Sequence, residues 1–331
     1  MIFNQQFAEK YKPFNSVPIT DLSVRNNRGS GLSVGGIRSK NVVDQVTALV
    51  YKGAGTAGDD IEISLKQSHS PIGLLSDATP LICSSIHCRP GASIAEDWTL
   101  EAENVSSWTS DDNAEKSMVL AIDIPMVDII EGIPGYSIKS SVISASISQA
   151  GSAGNAQLGG CLLFVHNRAS NSKFVENHDV IMAGPGDLSA GAISLAFDWD
   201  NNAPALRTLT WVGLSNKTPM GDVHPPITFE ATDDANNANM PWKRLYTIEL
   251  AAGSEQIMDC LDNVDDANTY AGDGISGDEK IFLTDFDYID IPGLIRNSNS
   301  NSNVNCSWSQ TTKSQLGAIL AISSGARHTQ R

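Results

Sequence analysis

Apolar residues along the chain fall in short runs rather than in long helical stretches. In "IEISLKQ" (61–67) the apolar residues Ile61, Ile63 and Leu65 alternate with polar residues. A period of two is typical of a β-strand with one buried and one solvated face. "GCLLFVH" (160–166) is instead apolar almost throughout, which predicts a strand that is covered on both faces. Helical periodicity is rare, so the pattern predicts an all-β protein.

Strand-sized segments separated by Gly, Asn and Asp residues follow one another along the whole sequence. "VTALVYK" (46–52) and "DIEISLKQ" (60–67) flank "GAGTAGD", and we interpret them as a hairpin with a glycine-rich turn. Further predicted strands are "SIKSSVISASISQ", "AISLAFDWD", "LRTLTWVGLS", "RLYTIELAA" and "KIFLTDFDYIDI". "SIAEDWTLEAENV" could form a helical turn, but its counterpart "WKRLYTIELA" is strand-like, so we assign both as strands. Many short strands with such turns indicate antiparallel sandwiches, with a jelly roll as the first choice.

The tetrapeptide Ile-Asp-Ile-Pro occurs twice, in "AIDIP" (121–125) and in "YIDIP" (288–292). Further pairs occur around it in the same order. They are "SHSPIG" with "NKTPMG", "EDWTLEAE" with "KRLYTIELAA", "SISQ" with "SWSQ", and "QLGGCLLFVHNR" with "QLGAILAISSGAR". Each pair is weak alone, but the common order indicates that one unit has been duplicated.

This duplication predicts two tandem antiparallel β-sandwich (jelly-roll-like) domains in one chain of 331 residues. The predicted organisation is an extended N-terminal arm at 1–40, a first domain at 41–168, a connector at 169–189 and a second domain at 190–331. The polar inserts differ in length between the copies, as expected of surface loops.

The repeated tetrapeptide admits a structural and a catalytic interpretation. Pro125 and Pro292 lack an N–H group and therefore end their strands. In the first copy Ile122 and Ile124 share one face and Asp123 points to the other. We favour a structural corner over catalysis by Asp123 and Asp290.

Composition and charge exclude several functions. Charged residues make up 18% of the chain and the net charge is −16, so direct contact with nucleic acid is not expected. The N-terminus has no apolar run after its basic residues, and apolar runs elsewhere are too short for a bilayer. We therefore expect synthesis in a cytoplasm and no membrane anchor.

No motif in the sequence indicates catalysis or cofactor binding. The six histidines show no H-E-x-x-H spacing, and there is no P-loop motif. "GAGTAG" (53–58) resembles a glycine-rich phosphate loop, but it lies between two predicted strands, so a hairpin turn is the favoured interpretation. "CSSIHC" (83–88) invites a metal interpretation, but no second Cys or His pair completes a zinc site. The odd count of five cysteines does not describe a disulfide framework. We predict no catalytic, cofactor-binding or metal-ligating residues and no enzymatic activity.

Two alternatives to this prediction stay open. The acidic segments "DWDNN", "DDANNAN", "DNVDDAN" and "DGISGDE" carry oxygen ligands that could hold a structural calcium ion, although none has EF-hand spacing. Paired carboxylates with a tryptophan platform could bind or cleave a carbohydrate. Trp308 is assigned to the core, and Trp98 and Trp242 occupy corresponding places in the copies, which also suggests packing.

The N-terminal arm supplies the predicted subunit contacts. It has no periodic pattern, and a segment that cannot fold alone is useful if it buries its apolar residues on a neighbouring subunit. The predicted contact residues are Phe3, Phe7, Tyr11, Phe14 and Val17. A disordered tail is the alternative.

Several segments together resemble the virion structural proteins of tailed phages. They are "MIF", "KPFNSVPITD", "LVYKGAGTAGDDIEISLKQ", "NAQLGGCLLFV" and "QLGAILAISSGARH". The resemblance covers the arm and the first copy, and reaches the second copy mainly at its end. It implies a β-sandwich subunit that decorates or cements a phage head. The doubled unit and the long inserts of the second copy depart from the usual pattern.

A second resemblance, which the sequence alone ranks behind head decoration, concerns the whole architecture. Two tandem jelly rolls in a chain of this size look like the major capsid proteins of icosahedral, membrane-containing phages and their relatives. That resemblance implies a homotrimer that forms pseudo-hexagonal capsomers with other capsid subunits. Both resemblances imply localisation in the virion. A carbohydrate-binding or glycoside-acting β-sandwich protein is the alternative from another functional class, and a secreted adhesin is disfavoured by the N-terminus.

Overall fold

The computed structural model describes a chain built almost entirely of β-strands. The described residues are 11–22, 27–28, 32–33, 45–55, 58, 60–68, 79–91, 97–110, 117–125, 142–151, 157–166, 173–198, 206–215, 227–232, 243–250, 258–259, 269–270, 280–287, 303–309 and 315–325. The chain divides into two compact units, Met1–Glu176 and Asn177–Arg331. The all-β prediction is confirmed.

The strands of the first unit run from β1 to β12. They are β1 (Tyr11–Asp21), β2 (Asn27–Arg28), β3 (Leu32–Ser33), β4 (Gln45–Lys52), β5 (Ile61–Ser68), β6 (Thr79–Pro80), β7 (Ser85–Pro90), β8 (Thr99–Ala102), β9 (Trp108–Thr109), β10 (Met118–Pro125), β11 (Val142–Gln149) and β12 (Leu158–His166). A short helix, α1 (Phe174–Asn177), follows where the first unit ends.

The strands of the second unit run from β13 to β22. They are β13 (His178–Asp187), β14 (Ile193–Asp198), β15 (Leu206–Ser215), β16 (Ile227–Thr232), β17 (Lys243–Leu250), β18 (Met258–Asp259), β19 (Thr269–Tyr270), β20 (Lys280–Asp287), β21 (Asn303–Trp308) and β22 (Leu316–Gly325).

The two units share one strand order. In the first unit one sheet runs β1-β12-β4-β10-β7-β8 and the other β2-β11-β5-β6. In the second unit the sheets run β13-β22-β15-β20-β18 and β14-β21-β16-β17-β19. The first four strands of each sheet therefore correspond one to one between the units. These eight corresponding strands form two facing four-stranded antiparallel sets, in which the first strand lies beside the last, and this is the arrangement of a jelly roll. Each unit is a jelly-roll sandwich, and the predicted duplication is visible in the topology.

The hydrophobic core of the first unit lies between its two sheets. Alternate residues of β10, Leu120, Ile122 and Ile124, face this core together with Ile61 and Ile63 of β5. The opposite face of the first sheet is also covered, since all residues of 161–164 are buried. The prediction that "GCLLFVH" is covered on both faces is thus confirmed for these residues.

Aromatic side chains fill much of the second unit's interior. Trp211 of β15 meets Phe229 of β16 edge to face, with ring centroids 6.0 Å apart, which is a favoured geometry for aromatic pairs. Trp308 is fully buried, as the sequence predicts.

A corner built from an Asp-Leu pair and a Gln-Leu-Gly triplet occurs in both units. In the first, Asp21 Oδ1 accepts a hydrogen bond from the Gln157 backbone N–H at 3.0 Å, and Leu22 N–H donates to Gln157 O at 2.6 Å. In the second, Asp187 Oδ1 accepts a hydrogen bond from the Gln315 backbone N–H at 3.3 Å, and Leu188 N–H donates to Gln315 O at 2.8 Å. The repeated unit therefore begins at β1 and at β13.

A paired bulge lies just before each corner. On β1, Pro18 and Ile19 stand between partnered residues where β12 has only Gly160. On β13, Gly184 and Pro185 stand where β22 has only Ala318. Two residues against one define a β-bulge, and prolines are tolerated there and on edge strands such as these.

These strands correct two predicted boundaries. Residues 11–21, inside the predicted arm 1–40, are instead β1, paired with β12 over most of its length. Residues 178–187, inside the predicted connector 169–189, are instead β13, paired with β22. Both stretches contain prolines, which disguise an edge strand as a loop because edge strands tolerate a missing N–H donor.

The predicted β4–β5 hairpin is also wrong. β4 pairs with β10 and β12 in one sheet, whereas β5 pairs with β11, β6 and β9 in the other. The glycine-rich "GAGTAGD" segment therefore joins strands of opposite sheets. Such a crossing lets the alternating face of each strand reach the common core.

The residue of the second unit that is level with Asp123 is not the aspartate of the second Ile-Asp-Ile-Pro segment. Lys52 partners both Gly159 and Met118, and Ser215 partners both Gly317 and Lys280. Counting from these pairs, Asp123 is level with Asp285, and the two stand opposite Thr47 and Thr210. The second tetrapeptide follows Asp285 and lies outside the described residues, as does Asp290. The units correspond, with Asp285 rather than Asp290 level with Asp123.

Candidate functional site

The predicted subunit-contact residues fall into three groups in the structure. Val17 belongs to the first unit's own core at 2% exposure, and Phe14 packs against that core. Tyr11 lies on β1 opposite His166. Phe3 and Phe7 lie outside the described residues. Val17 is thus engaged within its own unit, and contact through Phe3, Phe7 and Tyr11 stays a prediction.

Asp123, at the centre of the first tetrapeptide, is a buried hub of hydrogen bonds. Its Oδ1 accepts from Thr47 Oγ1 at 2.6 Å, and its Oδ2 accepts from the Phe174 backbone N–H at 3.3 Å. Its backbone carbonyl accepts from the Ser84 hydroxyl at 2.8 Å. Buried carboxylates need such donors because desolvation of a charge is costly. These contacts join β10 to β4 and to α1, in line with the corner interpretation.

The "CSSIHC" segment does not present its sulfur and nitrogen atoms to one point. Cys83 and Cys88 both lie in the core of the first unit. His87 precedes Cys88 on β7, so its side chain leaves the opposite face of the strand. Burial raises the pKa of the Cys83 thiol to about 12 and raises the pKa values of Cys161 and Cys306 as well. At neutral pH these thiols are protonated and packed as apolar groups.

A mixed polar and aromatic patch lies on the outer side of β7 and β8. We call it the β7–β8 patch and define it by His87, Arg89, Trp98, Leu100 and Glu103. The buried Arg89 guanidinium stands 5.9 Å from the centre of the half-buried Trp98 ring, within cation–π range. Leu100 partners His87 across the ladder and is 49% exposed. β8 ends the path of its sheet.

Charges from α1 and its preceding residue lie beside the β7–β8 patch. Lys173 Nζ lies 3.9 Å from Glu103 Oε1, and both side chains are well exposed, so this ion pair contributes little stability. Burial is the first cause that lowers the pKa of His87, and Lys173 lowers it further. Glu103 and Glu176 act in the opposite direction. No sequence pattern signals this cluster, because its members are separated by up to 89 positions along the chain.

Only one residue of the four acidic segments lies within the described part of the chain. Asp198 ends β14, while "DDANNAN", "DNVDDAN" and "DGISGDE" lie outside the described residues. Within the described part of the chain, no three His, Cys, Asp or Glu side chains are grouped to hold a metal ion.

No helix in the described portion is long and apolar enough to cross a membrane.

Among the comparisons with known proteins, only solved structures show similarity to the chain, and this similarity is weak. No protein-family model and no curated protein matches the chain. A chain of Broad Bean Stain Virus is 9% identical, covers 98% of this chain and 92% of its own, and has a TM-score of 0.24. PNGase F, a glycosylasparaginase from Flavobacterium meningosepticum, is 8% identical over 96% of both chains at 0.24. The mavirus major capsid protein is 9% identical over 98% of this chain and 90% of its own at 0.20.

These scores are too low to argue for a shared function. A plant-virus chain, a viral major capsid protein and a glycosylasparaginase all occur among the similar structures. The class of the protein is therefore defined by its own strand order, which is that of two tandem jelly-roll units.

Proposed function

We propose that the protein is a structural subunit of a viral capsid, without enzymatic activity. The observation that carries the proposal is the same two-sheet strand order in both units, together with the duplicated corner at Asp21 and Asp187. Jelly rolls are common in capsid subunits and in lectins. A chain that holds two of them resembles the tandem jelly-roll major capsid proteins, and this role ranks ahead of head decoration.

Symmetry explains why a doubled sandwich suits a shell. Closed cyclic oligomers repeat one interface around an axis. Three copies of a chain with two similar units place six similar units around a threefold axis. Such a trimer fills a hexagonal position in a lattice although it contains three chains. The proposal therefore includes a homotrimer and contacts with other capsid subunits in a virion.

The chemistry-bearing residues have structural roles that support a non-enzymatic function. Asp123 is engaged with Thr47 and Phe174. The thiols of Cys83, Cys161 and Cys306 are buried and hold their protons. Net charge of −16 also favours contact with protein over nucleic acid.

Size-exclusion chromatography with light scattering, followed by electron microscopy, tests the proposal. A particle of three 35.3 kDa chains with pseudo-hexagonal outline, or a closed shell, supports the capsid role. A monomer at all concentrations that neither assembles nor binds a particle overturns it. A monomer that saturates preformed heads supports decoration instead.

Truncation separates the N-terminal contact from the fold. Removing residues 1–10, which include Phe3 and Phe7, should weaken assembly while the first unit stays folded. Removing residues 1–20 should unfold the first unit, because it deletes most of β1 and the core residue Val17. Full assembly after removal of residues 1–10 would contradict the contact role of Phe3 and Phe7.

Carbohydrate binding is a second candidate, favoured by the half-buried Trp98 and the exposed Leu100 of the β7–β8 patch. A glycan array with the intact protein should then give signals that Trp98→Ala removes and Trp308→Phe retains. Signals that persist in Trp98→Ala would place any glycan site elsewhere.

A further inference from the structure

The helix α1 docks on the first unit at the point where the chain passes to the second. Glu176 ends the first unit and Asn177 begins the second. Phe174 N–H donates to Asp123 Oδ2 at 3.3 Å, and the Phe174 ring stacks on Phe164 with centroids 6.3 Å apart. Phe174 and Val175 are both buried. A hydrogen bond, a ring stack and two buried side chains thus take part in attaching this short segment.

His87 lies beside the docked segment with one ring nitrogen enclosed. Its Nδ1 is inaccessible and has no hydrogen-bond partner in the structure. Its ladder partners are Ala121 on β10 and Leu100 on β8, neither of which accepts a proton. The charged groups around it are Lys173, Glu176, Glu103, Arg89 of its own strand and Asp123 of β10.

The electrostatic balance at His87 favours a neutral imidazole while α1 is docked. Burial and then Lys173 lower the pKa of His87, and they outweigh Glu103 and Glu176. Release of α1 would remove both Lys173 and the weaker opposing influence of Glu176 from the ring, so the pKa would rise toward its ordinary value of about 6.5. A group with a lowered pKa in the docked state binds a proton more readily after release. Docking therefore loses stability as pH falls below that ordinary value.

We propose that α1 is a pH-sensitive clasp, which is docked on the first unit when His87 is neutral and is released when His87 takes up a proton. Release frees the residues around 173–177, while the strands of each unit stay paired. The proposal is independent of the capsid function, since it rests on contacts within the first unit alone.

Hydrogen exchange of the Phe174 amide in the full-length protein tests the clasp directly. This amide makes the hydrogen bond to Asp123, so its protection reports docking. After correction for intrinsic exchange, protection should fall between about pH 7.5 and about pH 5, where histidine titrates. The fall should not exceed about tenfold per pH unit for one proton. Peptides of β12 should stay protected throughout. Constant protection of Phe174 across this range overturns the proposal.

Variants of the cluster identify the titrating group. His87→Gln cannot take up a proton, so its protection should be independent of pH over the same range. Retention of the wild-type pH dependence in His87→Gln would assign the effect to another group, such as the buried His178, and would overturn the proposal.

A pair of charge variants keeps the test decisive if His87→Gln does not fold. Lys173→Gln removes a cation that disfavours protonated His87, so the pH dependence should become shallower. Glu176→Gln removes an anion of α1 that favours protonated His87 in the docked state, so the dependence should become steeper. Each variant removes one charge from the docked segment, and a purely structural role would therefore shift both in one direction. Lys66→Gln, on β5 of the other sheet, is the matched control. Changes in slope that share one direction, or that reverse the two predicted directions, overturn the proposal.

Discussion

Thr47 Oγ1 on β4 donates a 2.6 Å hydrogen bond to Asp123 Oδ1 on β10, and both residues are buried. The register places Thr210 opposite Asp285 at the same level of the second unit. A Thr-Asp pair thus recurs at one position of the duplicated sheet, although the sequence motif around Asp123 pointed to a different partner.

Thr47→Val should destabilise the first unit. The substitution keeps the shape of the side chain but leaves the buried carboxylate with one donor fewer, which should lower the free energy of unfolding by about 1.5–3 kcal/mol. Urea denaturation followed by circular dichroism measures the change. Thr99→Val, on the exposed edge strand β8, is the control and should change stability by less than about 0.5 kcal/mol. Equal effects of the two variants would show that the hydrogen bond contributes no stability.

Gly159→Ala should destabilise more than Gly317→Ala. A Cβ at Gly159 would lie 2.5 Å from the Tyr51 carbonyl oxygen and 2.6 Å from Leu22 Cδ1, whereas at Gly317 its nearest neighbour is Leu188 Cδ1 at 2.9 Å. A backbone oxygen cannot move aside as a leucine methyl can, so we expect about 1–3 kcal/mol for Gly159→Ala and less for Gly317→Ala.

Thermal unfolding curves of the two alanine variants provide the comparison. Gly191→Ala is the control, because a Cβ at this position would meet no atom within 4 Å. A larger loss for Gly317→Ala than for Gly159→Ala would contradict the steric explanation.

Asp21→Ala and Asp187→Ala should each weaken their own unit. Each removes the acceptor for a backbone N–H of a buried glutamine, Gln157 or Gln315, at a cost of about 1–3 kcal/mol. Asp→Asn at the same positions keeps the Oδ1 acceptor and should cost less. Hydrogen exchange of peptides from β12 and β22 distinguishes the units. Loss of protection in the unchanged unit alone would contradict this assignment.

The buried thiols should resist alkylation in the folded protein. With a pKa of about 12 in place of 9.0, Cys83 carries about a thousandfold less thiolate at pH 8. Iodoacetamide labelling followed by mass spectrometry should leave Cys83, Cys161 and Cys306 unmodified until urea is added. Rapid modification of Cys83 without denaturant would show that the thiol is accessible and ionised.

The fold class could be predicted because alternation and turn residues report directly on strands. β15, Leu206–Ser215, matches its predicted segment residue for residue. The duplication is also visible in the sequence, since "QLG" recurs at a site where the Gln backbone and the Gly Cα are both fixed by packing. Alternation does not indicate which strands pair with one another. It therefore suggests a hairpin of β4 and β5, although these two strands lie in different sheets.

The edge strands and the β7–β8 patch escape prediction for different physical reasons. β1 and β13 contain prolines, yet "DLS" at 21–23 and at 187–189 would have aligned them. The cluster around His87 is created by the return of the chain at Lys173 after strand β12, a contact that no local pattern encodes. Its ionisation balance depends on burial and on charges from distant positions, both of which exist only in the folded chain.

The paired bulge has a bearing on the history of the chain. Pro18-Ile19 and Gly184-Pro185 have different stereochemical constraints, yet each pair provides one extra residue at the same level of its sheet. The bulge is present in both units although different residues form it, so the surrounding strands, rather than those residues, determine its position. The simplest history places this bulge in a single-module ancestor, before the gene was doubled and the two halves diverged.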